Sequence, residues 1–191
     1  MASDDPPPET LPDLLRDGLD LVFVGINPGL YSAQRGHYFA RRTNRFWPAL
    51  SRSVLSEPAR EGLGVAELLP EHDRQLADYG IGFTDVVKRP TRNASELAKT
   101  EFADGVPHLL AKLVAHRPRL ACFQGVTGYR PFERIALGME RDAITLGLQP
   151  GSVGSTRLFL VPSPSPANAH FTLADQITWY DRLAQCLAEL R

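Results

Sequence analysis

Cysteine is scarce. Cys122 and Cys186 are the only two, too few for a disulfide framework, a zinc site or an iron–sulfur cluster. Both stand in apolar runs, which predicts buried free thiols. The five histidines lack metal-ligand spacing, and none is assigned a role. No apolar run approaches the roughly 20 residues of a membrane span. The opening MASDDPPPETLPD has neither a basic region nor an apolar core, so it does not read as a signal peptide. A cytoplasmic protein without a membrane partner is the expectation. A GxxxxGK[ST] phosphate loop is also missing, which argues against a P-loop nucleotide enzyme. Net charge is nearly absent, at -1, which argues against a polyanion-binding surface spread over the whole molecule.

Charge is present locally. Residues 1–20 hold six acidic residues against one arginine, and residues 35–45 hold four arginines and no acid. With 191 residues, 43% of them hydrophobic, the chain suits one domain with a sizeable core. Residues 1–11, acidic and proline-rich, read as a flexible tail, and residues 12–191 as the domain.

Hydrophobic periodicity predicts a short helix over Pro12–Leu19, then strands over Leu21–Val24, Ile81–Val87, Arg119–Gln124 and Arg157–Pro162. Helices are expected over Asn44–Ser53 with Asn44 as cap, within Gly64–Gly80, over Ser95–His116, after Gly125 as far as Leu137, and over Leu173–Leu190. Gln149–Ser152 reads as a turn, because Pro150 and Gly151 punctuate it. Strands alternating with helices predict a parallel sheet in an α/β layer fold.

The most informative stretch is VGINPGLYSAQRGHYFARRTNRFW, residues 24–47. It begins where the first strand ends, and ligands of open α/β sheets bind outside the carboxyl ends of the strands. Gly25, Pro28 and Gly29 fix a tight turn that brings bare backbone close to a ligand. Asn27 carries a donor and an acceptor at its centre. Aromatic rings able to stack a base follow, among arginines able to hold phosphates. Two further segments stand at strand ends, GFTDVVKRPT over residues 82–91 and VPSPSPAN over residues 161–168.

Taken together and in order, GINPG, NRFW (Asn44–Trp47), GFTDVVKRPT and VPSPS resemble the mismatch-specific uracil/thymine DNA glycosylases of the uracil-DNA glycosylase superfamily, from about residue 20 to about residue 190. The resemblance implies a single-domain three-layer sandwich, its central, mainly parallel sheet flanked by helices. It implies a monofunctional enzyme, working as a monomer without metal or cofactor, that hydrolyses the N-glycosidic bond of a flipped nucleotide in base excision repair. The partner would be double-stranded DNA with a G·U or related mismatch, and a bacterial member would accompany the nucleoid. Uracil is the implied target, with thymine or damaged pyrimidines as further candidates. Unstacking costs least at a mismatch, which alone favours G·U over A·U.

By position, the resemblance makes Asn27 the residue that orients the attacking water and Ile26 the one whose backbone N–H binds a base carbonyl. Gly25, Pro28 and Gly29 would shape the turn around the base. Tyr31 and Ser32 would limit what the base carries at C5, Phe39 would stack on it, and Ser163 would hold a phosphate. Pro166, Ala167 and Asn168 fall where relatives place the wedge that fills the gap in the duplex. Arg35, Asn44, Arg45, Lys88, Arg89 and Ser165 are the expected DNA contacts. Phe46 and Trp47 are expected in the core.

Two positions depart from the family pattern. The wedge usually carries a bulky or charged side chain, whereas Ala167 is small. Asp85 stands where relatives carry Lys or Asn. An amide is too weak a base to take a proton from water, so Asp85 is the candidate for that step, kept ionised by Lys88 and Arg89. Asp85 as a turn-capping carboxylate remains the alternative. A catalytically weak module that binds mismatched or single-stranded DNA is the competing function, and a small-molecule nucleotide hydrolase a third.

Overall fold

A computed structural model describes residues 10–190. The expected tail therefore falls outside the described residues up to Glu9. Leu11, assigned to that tail by sequence, is only 2% exposed and packs in the core.

Five strands form one sheet: β1 (Leu21–Gly25), β2 (Ile81–Asp85), β3 (Leu120–Gln124), β4 (Gly147–Val153) and β5 (Thr156–Val161). Their order is β2-β1-β3-β5-β4. The first four in that order run parallel, and β4 pairs antiparallel with β5 at one edge. The helices are α1 (Leu30–Arg35), α2 (Phe46–Arg52), α3 (Glu57–Leu63), α4 (Lys99–His116), α5 (Val126–Leu137) and α6 (Leu173–Glu189).

Strand periodicity explains the layers. Along β1, Leu21 and Phe23 face one core and Val22 and Val24 the other, and both cores are closed to water. The first core takes Phe46, Trp47 and Leu50 of α2 and Tyr180 and Leu183 of α6. The second takes Phe102, Val106, Leu109 and Leu113 of α4, the apolar stripe expected of that helix, with Tyr129 and Phe132 of α5. Val114 of the same helix is 58% exposed. Phe46 and Trp47 are core, as expected, and Cys122 and Cys186 are buried free thiols.

Two expectations need correction. Pro12–Leu19 forms no helix. Leu14 makes an antiparallel bridge to Phe83, donating to its carbonyl (2.9 Å) and accepting from its N–H (3.0 Å), so the segment straps the outer edge of β2. Gln149–Ser152 lies within β4 and is no simple turn. Pro150 is tolerated because β4 is an edge strand, and the register shifts between Leu148 and Ser152. Sequence reasoning also passed over α1 and α3, each too short for periodicity to mark.

Candidate active site

The carboxyl ends of β1, β2, β3 and β5 share one edge of the sheet, and a cleft of about 730 Å³ opens there. All three sequence segments meet in it. Gly25, Ile26, Asn27, Pro28, Gly29, Tyr31, Ser32, Phe39, Asn44, Asp85, Ser163, Ser165, Pro166, Ala167 and Asn168 line it.

Asn27 is held by its amide nitrogen. Nδ2 donates to the Arg89 carbonyl (2.8 Å), to Thr91 Oγ1 (2.8 Å) and, at a longer 3.2 Å, to the Pro28 carbonyl. Thr91 in turn donates to the Asn93 carbonyl (2.9 Å), so its hydroxyl is free to accept from Asn27. Both amide hydrogens are thereby fixed, and Oδ1 is the acceptor left for a ligand. The turn itself is stitched to the loop after β2: Leu30 N–H donates to the Thr91 carbonyl (2.9 Å) and Thr91 N–H to that of Pro28 (3.1 Å). Thr91, in the KRPT sequence, went unassigned, yet it is what orients Asn27.

Asp85 closes β2 directly opposite Gly25. A Cβ at residue 25 would collide with Asp85 Oδ1, so only glycine lets the carboxyl group lie across the strand end. Asp85 is 3% exposed, and its Oδ2 has no hydrogen-bond partner among the described residues. Lys88 Nζ lies 3.6 Å from that oxygen. Burial is the largest influence on this carboxyl group. Lys88 opposes it, Asp13 adds to it, and the pKa is pushed up to about 6. Of the two cations expected to keep Asp85 ionised, Lys88 faces it and favours the charged form, whereas Arg89 is turned away to Glu101.

Phe39 stacks on Phe46, with ring centroids 4.2 Å apart and planes 19° from parallel. Its backbone is left-handed, with φ 51°, a conformation that costs a bulky residue about 1–3 kcal/mol. The neighbouring peptide groups are pinned. Tyr38 N–H donates to the buried Asp73 carboxylate (3.0 Å) and Trp47 Nε1 donates to the Tyr38 carbonyl (2.8 Å). Ala40 N–H donates to Ser32 Oγ (3.0 Å). The ring is therefore held at the cleft wall from both sides along the chain. Ser32 has this structural duty besides lining the cleft. Asp73 shows no motif and could not have been found from sequence.

Glycine is required once more at residue 125, which has φ 106° and approaches Ser163 so closely that a Cβ would come within 2.9 Å of the serine Cβ. The loop after β5 is built by its own polar groups. Asn168 donates from Nδ2 to the Ser163 carbonyl (3.1 Å) and from its N–H to that of Ser165 (3.0 Å). Pro166 and Ala167 stand exposed at its tip.

Several expected DNA contacts have other partners. Arg45 reaches across to this loop and donates to the carbonyls of Phe171 (2.5 Å), Ser165 (2.7 Å) and Asn168 (2.7 Å). It clamps protein, contrary to the phosphate contact expected of it. Arg89 pairs with Glu101, and Lys88 with Asp13 at 2.9 Å. Asn44 accepts the Phe46 N–H at its Oδ1 (2.9 Å) from one residue ahead of the helix cap, which is Arg45 and not Asn44 as expected. Arg35 is exposed, over the Tyr31 ring at 5.3 Å. The exposed cations that line the cleft are Arg41 and Arg92, and neither was among the named DNA contacts.

An aromatic ring, a fixed amide and a buried carboxyl group thus meet at the carboxyl edge of a mainly parallel sheet, where open α/β folds bind their ligands. Residues 12–190 match the uracil DNA glycosylase superfamily, and the chain belongs to that family. Among solved structures it is similar in fold to the solution NMR structure of a "putative Uracil DNA glycosylase" from Methanosarcina acetivorans. That likeness has 21% identity and a TM-score of 0.56, and covers 95% of this chain and 98% of the other. Membership supports hydrolytic DNA glycosylase chemistry on uracil. Among the described residues no helix is long and apolar enough to cross a membrane.

Proposed function

We propose that this protein is a monofunctional, monomeric glycosylase that removes uracil from G·U mismatches in double-stranded DNA. The observation that carries the reading is the pairing of a fixed amide, Asn27, with an unpartnered buried carboxylate, Asp85, in one cleft. A flipped base enters with its face on Phe39, and the Ile26 N–H meets a base carbonyl. Asn27 Oδ1 accepts one hydrogen of a water and aims its oxygen at C1′ of the sugar. The new O–C1′ bond forms as the C1′–N1 bond breaks, and the bonding pair leaves with the pyrimidine anion. The water's proton goes to Asp85, a transfer worth roughly 10²–10⁴-fold where geometry allows. Turn amides around Ile26 stabilise the departing anion. Ser163 holds the adjacent phosphate, and Pro166 with Ala167 occupies the vacated stack.

Preference for G·U follows from the small wedge. Ala167 fills little space, so this chain relies on the weak pairing of a mismatch to release its nucleotide. The test is a panel of labelled G·U, G·T, A·U and single-stranded uracil substrates, incubated with protein and cleaved by alkali at abasic sites. Release from G·U ahead of A·U is expected. Tight G·U binding with no release from any substrate would overturn the enzyme reading and leave a mismatch-binding module.

A further inference from the structure

The strap ahead of β1 carries a carboxylate into the neighbourhood of the site. Asp13 accepts from three donors on three elements. Its Oδ1 takes Thr84 Oγ1 of β2 (2.7 Å) and Lys88 Nζ of the following loop (2.9 Å), and its Oδ2 takes Lys112 Nζ of α4 (2.6 Å). Lys88 is the hinge of this arrangement. Its ammonium group is 2.9 Å from Asp13, 3.4 Å from the Tyr38 hydroxyl and 3.6 Å from Asp85 Oδ2. A hydrogen bond of normal length is made to Asp13 and missed to Asp85.

The groups facing Asp85 are few. Lys88 follows it in the chain, Lys112 and Asp13 approach from α4 and the strap, and Tyr38 approaches from the loop after α1. The Tyr38 hydroxyl donates to the Pro12 carbonyl (3.1 Å), and burial holds its own proton firmly in place. Among the described residues, Lys88 and Lys112 are the groups that offer Asp85 a positive charge, and Asp13 engages both.

We propose that Asp13 is a positioning residue for catalysis: it draws Lys88 away from Asp85 and leaves that carboxylate free to take a proton from water. This rests on the role of Asp85 proposed above. A lysine seated directly on Asp85 would make it a poor base, because an ion pair favours the charged form. With no lysine nearby, the buried group would stay protonated at neutral pH and could take no proton. Asp13 sets the intermediate position. Its own charge is secure, since Lys112 and Lys88 outweigh burial and hold it below the ordinary carboxylate range.

The experiment is the pH dependence of single-turnover uracil release by the full chain. Asp13→Asn should free Lys88 to close on Asp85. The acidic limb should then move down by roughly one pH unit, and the plateau should fall about tenfold. Lys88→Met should move the limb the other way. In an Asp85→Asn background neither change should shift any limb. A carboxyl-carbon NMR titration of Asp85 gives the same two displacements without relying on turnover. A limb and titration left in place by a folded Asp13→Asn would overturn the inference, whatever Lys88→Met does. If Asp85→Asn itself keeps the parent rate and limb, the general-base reading fails instead. Should Asp13→Asn not fold, Asp13→Ser, which removes the charge and keeps a hydrogen-bonding oxygen for Thr84, carries the same test.

Discussion

Asp85 is held in a form that water would not favour, and that has a cost in stability which depends on pH. Its carboxyl group has an ordinary value of 3.8 and is pushed up to about 6 in the folded chain. Below the ordinary value both states carry the proton. As pH rises through about 6, the unfolded chain has released that proton more readily than the folded one, so folding loses free energy. Asp85→Asn keeps the shape without the charge. It should therefore gain stability relative to the parent between about pH 4 and pH 7, on the order of 3 kcal/mol, while excision falls roughly tenfold or more. Urea unfolding of both proteins across that range checks it, and a pH-independent difference would contradict it. Asn27→Ala should remove most uracil release and spare duplex binding, because water loses its orientation. Phe39→Ala should slow excision through lost stacking, roughly 1–3 kcal/mol in the reaction barrier. A folded variant with the parent rate would make Phe39 a packing residue only. Asn27, Asp85 and Phe39 were all legible in the sequence, because each stands in or beside a strand-end motif. Asp13, Asp73 and Thr91 were not. They act on motif residues through hydrogen bonds that span 71 positions between Thr84 and Asp13, 35 between Tyr38 and Asp73, and 64 between Asn27 and Thr91. No local pattern records such pairings.

The elements themselves were largely legible where burial imposes a period. β1, β2, β3, β5 and α4 to α6 each follow from apolar spacing. β4 was missed because it is half-exposed and holds Pro150 and Gly151, residues that read as a turn. The N-terminal strap was missed because its apolar residues fit a helix as well as a strap, and only the exposed edge of β2 decides between them. At this scale Arg45 matters most. It joins the segment before α2 to the loop after β5 through three carbonyls, and hydrogen bonds from a charged donor are worth about 1.5–3 kcal/mol. Arg45→Met should expose residues 164–171 to limited proteolysis and lower excision about tenfold, with α2 and the core intact by circular dichroism. A protease-resistant loop in the variant would show that the loop's own hydrogen bonds are enough.

Across the whole molecule, the near-zero net charge leaves a small set of cations to meet DNA. Arg45, Lys88 and Arg89 are engaged within the protein. Arg41 and Arg92 at the cleft, with Arg35 and Arg42 beyond it, are exposed. Affinity should fall with salt, and Arg41→Ala or Arg92→Ala should each lower the salt slope by about one, whereas Arg89→Ala should leave it nearly unchanged. Equilibrium binding from low to physiological salt measures all three, and a flat dependence in the parent would contradict the assignment. The sheet order adds a consequence in time. β5 is the last strand to be synthesised, yet it lies between β3 and β4. Residues up to Gln124 supply the turn, the stacking ring and the carboxylate, but the Ser163 side of the cleft arrives only with β5. A chain still emerging from the ribosome thus holds reactive parts without a complete grip. The cleft is closed around Asn27, Phe39 and Asp85 only once β5 has paired with β3, so its assembly waits for the last strand to leave the ribosome.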